Sequence, residues 1–190
     1  MEEIEVLIKK GISKKIEQLN NLNNLSIKNS KEILINNISK YSISNLNNDF
    51  SGIGENIIYQ INSKELTISY EELKNTFDAL KKKYKNNGKE YHISKINEKH
   101  WSSELSNYCL YIGSKRNDAI TRFKQHLGIN IDNRSVYSLY LSDWWPDNIE
   151  LQIKIYEFGK SINQNSLQII EDILWEEYKP LLGKQGPNNM

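Results

Sequence analysis

The chain has 190 residues, with 25 lysines and arginines against 24 aspartates and glutamates, for a formal net charge of +1. That length holds one substantial domain with an added subdomain, and the near-zero charge excludes a protein that grips nucleic acid by bulk basicity alone. The only cysteine, Cys109, excludes an intramolecular disulfide and a thiolate metal cluster; it fits a reducing compartment such as the cytoplasm, and no apolar run is long enough to cross a bilayer.

Residues 1–50 read as a helical extension. Ile4, Leu7, Ile8, Ile12, Ile16 and Leu19 recur at helical spacing, and Leu34, Ile35, Ile38 and Tyr41 do so again after an asparagine-rich linker. Such a segment suits a homo-oligomer contact or a protein partner. Ser51-Gly-Ile-Gly54 is a turn, and Asn56 to Ile61 then reads as a strand. Ser69 and Glu72 form a capping-box pattern that opens a helix with the stripe Leu73, Phe77, Leu80 and Tyr84. Lys81, Lys82, Lys83 and Lys85 close that helix, where cations suit the negative end of its dipole; the run reads as a solvated helix end rather than a DNA patch.

Tyr91 to Ile96 is a short strand or an ordered loop, and Tyr108 to Ile112 is a strand in which Cys109 reads as a buried structural thiol. Asn117 is expected to cap a helix from Asp118 to Leu127, with Gly128 beyond its end. Val136 to Leu141 is a strand rich in β-branched and aromatic residues. Ile149, Leu151, Ile153 and Ile155 alternate with polar residues and predict a half-buried strand. The last helix spans about Ser166 to Tyr178 and stops at Pro180. Trp101, Trp144 and Trp145 read as core packing in preference to exposed anchors. The whole predicts an α+β fold: a small mixed β-sheet flanked by helices, over residues 51–190.

Two features carry chemistry. The chain has three arginines, Arg116, Arg122 and Arg134, all within one short segment of a sequence that otherwise favours lysine. Arginine recognises phosphate through a planar, bidentate fork that lysine lacks. With Lys115 and Lys124, the segment is a candidate nucleic-acid-binding surface. The second feature is Glu171, which shares a helical stripe with Leu167, Leu174, Trp175 and Tyr178. A carboxylate there is costly unless it is paired or holds a metal.

These residues carry a resemblance. Leu110-Tyr-Ile-Gly-Ser, followed by Arg122-Phe-Lys-Gln-His126-Leu-Gly, resembles the GIY-YIG nuclease superfamily, and so does the segment from Leu167 through Glu171 to Lys179-Pro180. The resemblance spans about residues 54–186. It implies a GIY-YIG-like domain with an insertion at about 62–107 and a metal-dependent DNA endonuclease, in restriction or phage defence or in mobile-element processing. It further implies that Tyr111 positions or activates the attacking water, that Arg122 holds the scissile phosphate, and that His126 contacts the phosphate or assists proton transfer. Glu171 would be the only protein ligand of a magnesium or manganese ion. Tyr59 is the favoured first tyrosine of the motif, and Tyr91 is its rival. Ser114 stands where some members have lysine, and Leu181-Leu-Gly183 stands where the family often has asparagine. A non-cleaving nucleic-acid-binding module and a partner-activated nuclease subunit are the alternatives.

Overall fold

The computed structural model describes residues 2–22, 25–66, 68–101, 108–131, 134–160 and 162–186; within these, the side chains at positions 2, 3, 5, 7, 8, 14, 15, 18, 21, 134 and 135 lie outside the description. Among the described residues, five α-helices and six strands follow in the order α1 (Glu2–Leu22), β1 (Asn29–Ile35), α2 (Ile43–Asp49), β2 (Ile57–Ser63), α3 (Tyr70–Asn86), β3 (Tyr91–Ile93), β4 (Tyr108–Lys115), α4 (Ala119–Leu127), β5 (Arg134–Ser138), β6 (Leu151–Glu157) and α5 (Gln164–Tyr178). The fold is α+β.

Four strands form an antiparallel sheet in the order β1-β6-β2-β4. The only parallel pairing among the described residues joins β3 to β5 in a separate two-stranded sheet. The expected single mixed sheet is therefore two sheets. β2 and β6 are central and buried: Ile57, Ile58, Ile61, Leu151 and Ile153 are fully shielded from solvent. Each such side chain contributes on the order of 2 kcal/mol through burial. Alternation along β2 sends Tyr59 toward α2 and α4, where Leu46, Phe50 and Phe123 pack, and sends Ile58 toward α5, where Leu167 packs.

The N-terminal region departs from expectation. The helix expected around Leu34 to Tyr41 is replaced by β1, which pairs with β6 from Asn29↔Glu157 to Ile35↔Leu151. Leu34, Ile35, Ile38 and Tyr41 fit a helical period, but Ile33 and Ile35 are buried while Leu34 is 49% exposed, which is a strand's period of two. The open edge of β6 selects that register, since a shift of one residue would bury Glu32 and Leu34 and expose Ile33 and Ile35. With β1 in the sheet and Leu46 and Phe50 in the core, a domain boundary at residue 50 would cut through the hydrophobic centre. Only α1 remains an extension; its apolar residues Ile4, Val6, Ile12, Ile16 and Leu19 face solvent and Leu22 is half-buried.

Local signals hold elsewhere with small shifts. Ser69 and Glu72 form the capping box of α3. α4 is capped by Asp118, whose side chain accepts from Thr121 N–H, and not by the neighbouring Asn117. Both residues suit the position by side chain, and Asp118 takes it with a left-handed backbone, at φ 56°, in place of the extended one usual at an N-cap. Trp145 is buried and donates to the Ile149 carbonyl, Trp144 packs edge-on to Phe77, and Trp101 packs against Tyr70. Cys109 is buried, and desolvation pushes its thiol up to about 12. No helix among the described residues is long and apolar enough to cross a membrane.

Candidate active site

β4 is the edge strand of the main sheet, and the site wraps around it. Register pairs Tyr59 with Gly113, Ile61 with Tyr111 and Ile58 with Ser114. Tyr59 and Tyr111 therefore share the α4 face, their rings stacked with centroids 6.0 Å apart, while Ser114 turns to the α5 face. Gly113 makes the first arrangement feasible. A Cβ there would stand 2.6 Å from the Tyr59 hydroxyl and 2.7 Å from the Tyr111 ring.

The helices bring the remaining groups. Arg122 and His126 are one turn apart on α4. Arg122 donates to the Tyr137 carbonyl at 3.0 Å, to Gln125 at 3.2 Å and to the Tyr111 hydroxyl at 3.4 Å. Burial works against its charge, but the phenol oxygens of Tyr59 and Tyr111 outweigh this and hold it firmly protonated. On the other face, Glu171 of α5 is 9% exposed and accepts a short hydrogen bond from Ser114 Oγ. Burial raises its pKa, and among the described residues no cation lies within ion-pair distance of it. Tyr111, Arg122 and Glu171 all line one cleft of about 680 Å³, together with Ser94, Lys95 and Lys184.

Two of the expected residues sit behind this front. His126 is fully buried and Tyr59 is 1% exposed, and their Nε2 and Oη atoms lie 2.9 Å apart. His126 Nδ1 is 3.2 Å from Ser138 Oγ. Burial, followed by the Arg122 charge, pushes the imidazole well below the usual histidine range, so it is neutral. Burial likewise pushes the Tyr59 phenol well above its ordinary value, against the opposing Arg122 charge. A neutral imidazole has one donor and one acceptor, so in either tautomer His126 links Ser138 to Tyr59 in a directed chain. The geometry thus replaces the expected phosphate contact of His126 with a positioning role. Folding favours neutral His126, so the stability that it contributes is full above the ordinary value near ~6.5 and is lost as pH falls below it. Wild type is expected to lose up to about 1.4 kcal/mol more per pH unit than His126→Gln between pH 6.5 and 5; parallel melting profiles would contradict this.

Tyr91, the rival first tyrosine, is elsewhere: it packs between Tyr84 and Tyr140, with ring centroids 4.8 and 5.0 Å away. The expected nucleic-acid residues are not drawn into the cleft. Lys115 ends β4, Arg116 is exposed just beyond it and Lys124 lies on α4; none of the three lines the cleft. Only the backbone of Arg134 is described, in β5. Of the three clustered arginines, Arg122 alone is shown facing the cleft.

Sequence reasoning gave no site role to Ser114, Ser138, Lys95 or Lys184. The last two arrive because residues 181–183 run beside β4: Leu181 and Leu182 N–H donate to the Cys109 and Leu110 carbonyls, and Gly183 N–H donates to the Lys95 carbonyl. Asn97 secures this segment by donating to the Pro180 and Gly183 carbonyls at 3.0 and 3.2 Å. Gly183 is required there, since its φ is 103° and a Cβ would meet the Tyr111 ring at 2.9 Å.

Glu171 is the residue that could hold a metal. Among the described residues there is no group of three or more His, Cys, Asp or Glu able to cage an ion. One carboxylate on a cleft wall instead fits magnesium, which keeps most of its waters and takes one or two carboxylates plus phosphate oxygens. No family model, no curated protein and no solved structure matches the chain.

Proposed function

We propose that the chain is a metal-dependent DNA endonuclease of the GIY-YIG type, hydrolysing phosphodiester bonds. One observation carries the reading: five residues distant in sequence, Tyr59, Tyr111, Arg122, His126 and Glu171, converge around one sheet edge with Arg122, Tyr111 and Glu171 lining the same cleft. Hydrolysis adds water across a P–O bond and builds charge on the phosphoryl oxygens. Arg122, pinned by three acceptors, presents its guanidinium to those oxygens at little reorganisation cost. The Tyr111 hydroxyl, beside that cation, orients the attacking water. Tyr59, fixed from behind by His126 and Ser138, stacks against Tyr111 and holds its ring in place. Glu171 would hold the magnesium or manganese ion, which when bound supplies Lewis-acid charge at the phosphate. Restriction, phage defence and mobile-element processing are contexts compatible with this reading.

The seclusion of Tyr59 favours one alternative, a nucleic-acid-binding module that does not cut. Incubating the full chain with labelled single-stranded, duplex and branched DNA in magnesium or manganese separates the two, since only the hydrolase yields metal-dependent product. Metal binding has its own readout. At ten times the dissociation constant, magnesium or manganese should stabilise wild type by about 1.4 kcal/mol in a thermal melt. Glu171→Gln should not respond. Equal shifts in both proteins would remove Glu171 as the ligand.

A further inference from the structure

The cleft does not end at Lys95. Its wall of Ile93, Ser94 and Lys95 continues into a hollow of about 280 Å³ between α3 and β3, lined by Lys74, Asp78 and Lys81. Lys81 is shared in turn with a hollow of about 410 Å³ at the end of α3, lined by Lys85, Lys89 and His92. Shared walls thus set the three hollows in a row leading away from Arg122, and we treat the row as one groove.

Lys74, Asp78, Lys81 and Lys85 stand at i, i+4, i+7 and i+11, one above another on a single face of α3. All are exposed. The helix dipole accounts for Lys85 in the last turn but not for Lys74 or Lys81, because its effect fades within that turn. Neighbouring carboxylates do not account for them either. Asp78 is 3.9 Å from Lys81 in an exposed contact of little energetic value, and Glu90 hydrogen-bonds His92 at 2.9 Å. The two hollows beside α3 therefore carry Lys74, Lys81, Lys85, Lys89 and Lys95 against Asp78 and Glu90, a net positive lining in a chain whose net charge is +1. From Lys74 to Lys85 the stripe is about 16 Å long at the α-helical rise, roughly the length of five base pairs.

We propose that this groove seats the backbone of duplex DNA, with α3 holding a run of phosphates while Arg122 faces the one to be cut. The proposal rests on the nuclease reading for its substrate and extends it to the path the substrate takes. Duplex fits better than single strand. Grooves for single strands pair their cations with free aromatic platforms, whereas here the Tyr70 ring is occupied by Trp101 at 6.1 Å and Lys74 at 5.9 Å, and the exposed Tyr137 ring at the cleft is engaged by His92 at 5.0 Å.

The test is binding of the full chain to a labelled 20-base-pair DNA duplex without divalent metal, across a salt series. Removing three phosphate contacts in Lys74→Ala/Lys81→Ala/Lys85→Ala should reduce the slope of log affinity against log salt by about 2.7 and weaken binding more than tenfold near 0.1 M salt. A second variant, Lys85→Glu alone, should weaken binding in the same direction. Melting temperatures should fall only slightly, since these side chains are exposed and lose no more than the dipole contact of Lys85 and the ring contact of Lys74. An unchanged slope in the triple variant overturns the proposal, as does wild type that fails to bind duplex or binds a single strand of the same length with the same lysine dependence. Stripe-dependent binding without cleavage in any metal would sink the hydrolase reading and leave the groove standing. Cleavage with stripe-independent binding would do the reverse.

Discussion

Glu171→Gln is expected to lower metal-dependent DNA cleavage by roughly 10³-fold or more while leaving the fold intact. The substitution keeps the side chain's shape, and the amide oxygen still accepts from Ser114 Oγ. What it removes is the one negative charge on the cleft wall that could hold a divalent ion. Losing about 4 kcal/mol of transition-state stabilisation corresponds to that factor. Stability should move the other way. Burial raises the pKa of Glu171, so its contribution is full below the ordinary carboxylate range and is lost as pH rises through the raised value. Glutamine escapes that loss, and the variant should melt no lower than wild type near pH 7. Calorimetry beside single-turnover cleavage checks both. Inactivity accompanied by unfolding would show a structural role instead.

Arg122→Lys is expected to cost roughly 10²- to 10³-fold in the cleavage rate, the usual consequence of losing a preorganised donor to developing charge. Charge alone does not define this position. The planar fork donates to the Tyr137 carbonyl, Gln125 and the Tyr111 hydroxyl while facing the cleft, and an ammonium on a flexible stem cannot meet that geometry. Because lysine keeps the positive charge, duplex affinity should change little. A variant that cleaves at the wild-type rate would show that Arg122 supplies only charge. One that cleaves slowly through an equal loss of affinity would show that it merely binds.

Much of this site was legible because it rests on local signals. A carboxylate in an apolar stripe stands out wherever it occurs, and Glu171 is buried as its stripe requires. The Arg122–His126 spacing fixes a shared helix face without tertiary information. The Ser69–Glu72 capping box and the alternation in β6 place their elements for the same reason. What escaped depends on contacts distant in sequence. Ser114 and Ser138 are ordinary serines until α5 and α4 pack over them. Tyr59 and Tyr91 both read as strand tyrosines; pairing with β4 sets Tyr59 opposite Gly113, and no single-strand pattern encodes that partner. The segment around β1 reads as helix because Leu34, Ile35, Ile38 and Tyr41 fit a helical period, and only the free edge of β6 chooses the strand. The lysines of α3 suit a helix end locally, and their second role emerges only when β3 brings Lys95 alongside.

Incubation of the wild-type chain with labelled duplex DNA and magnesium or manganese, beside Glu171→Gln with binding followed in the same samples, tests the central claim most directly. The claim predicts cleavage by wild type alone and binding by both proteins. Binding by both with no product from wild type in either metal would contradict it, leaving a fold that holds DNA without cutting.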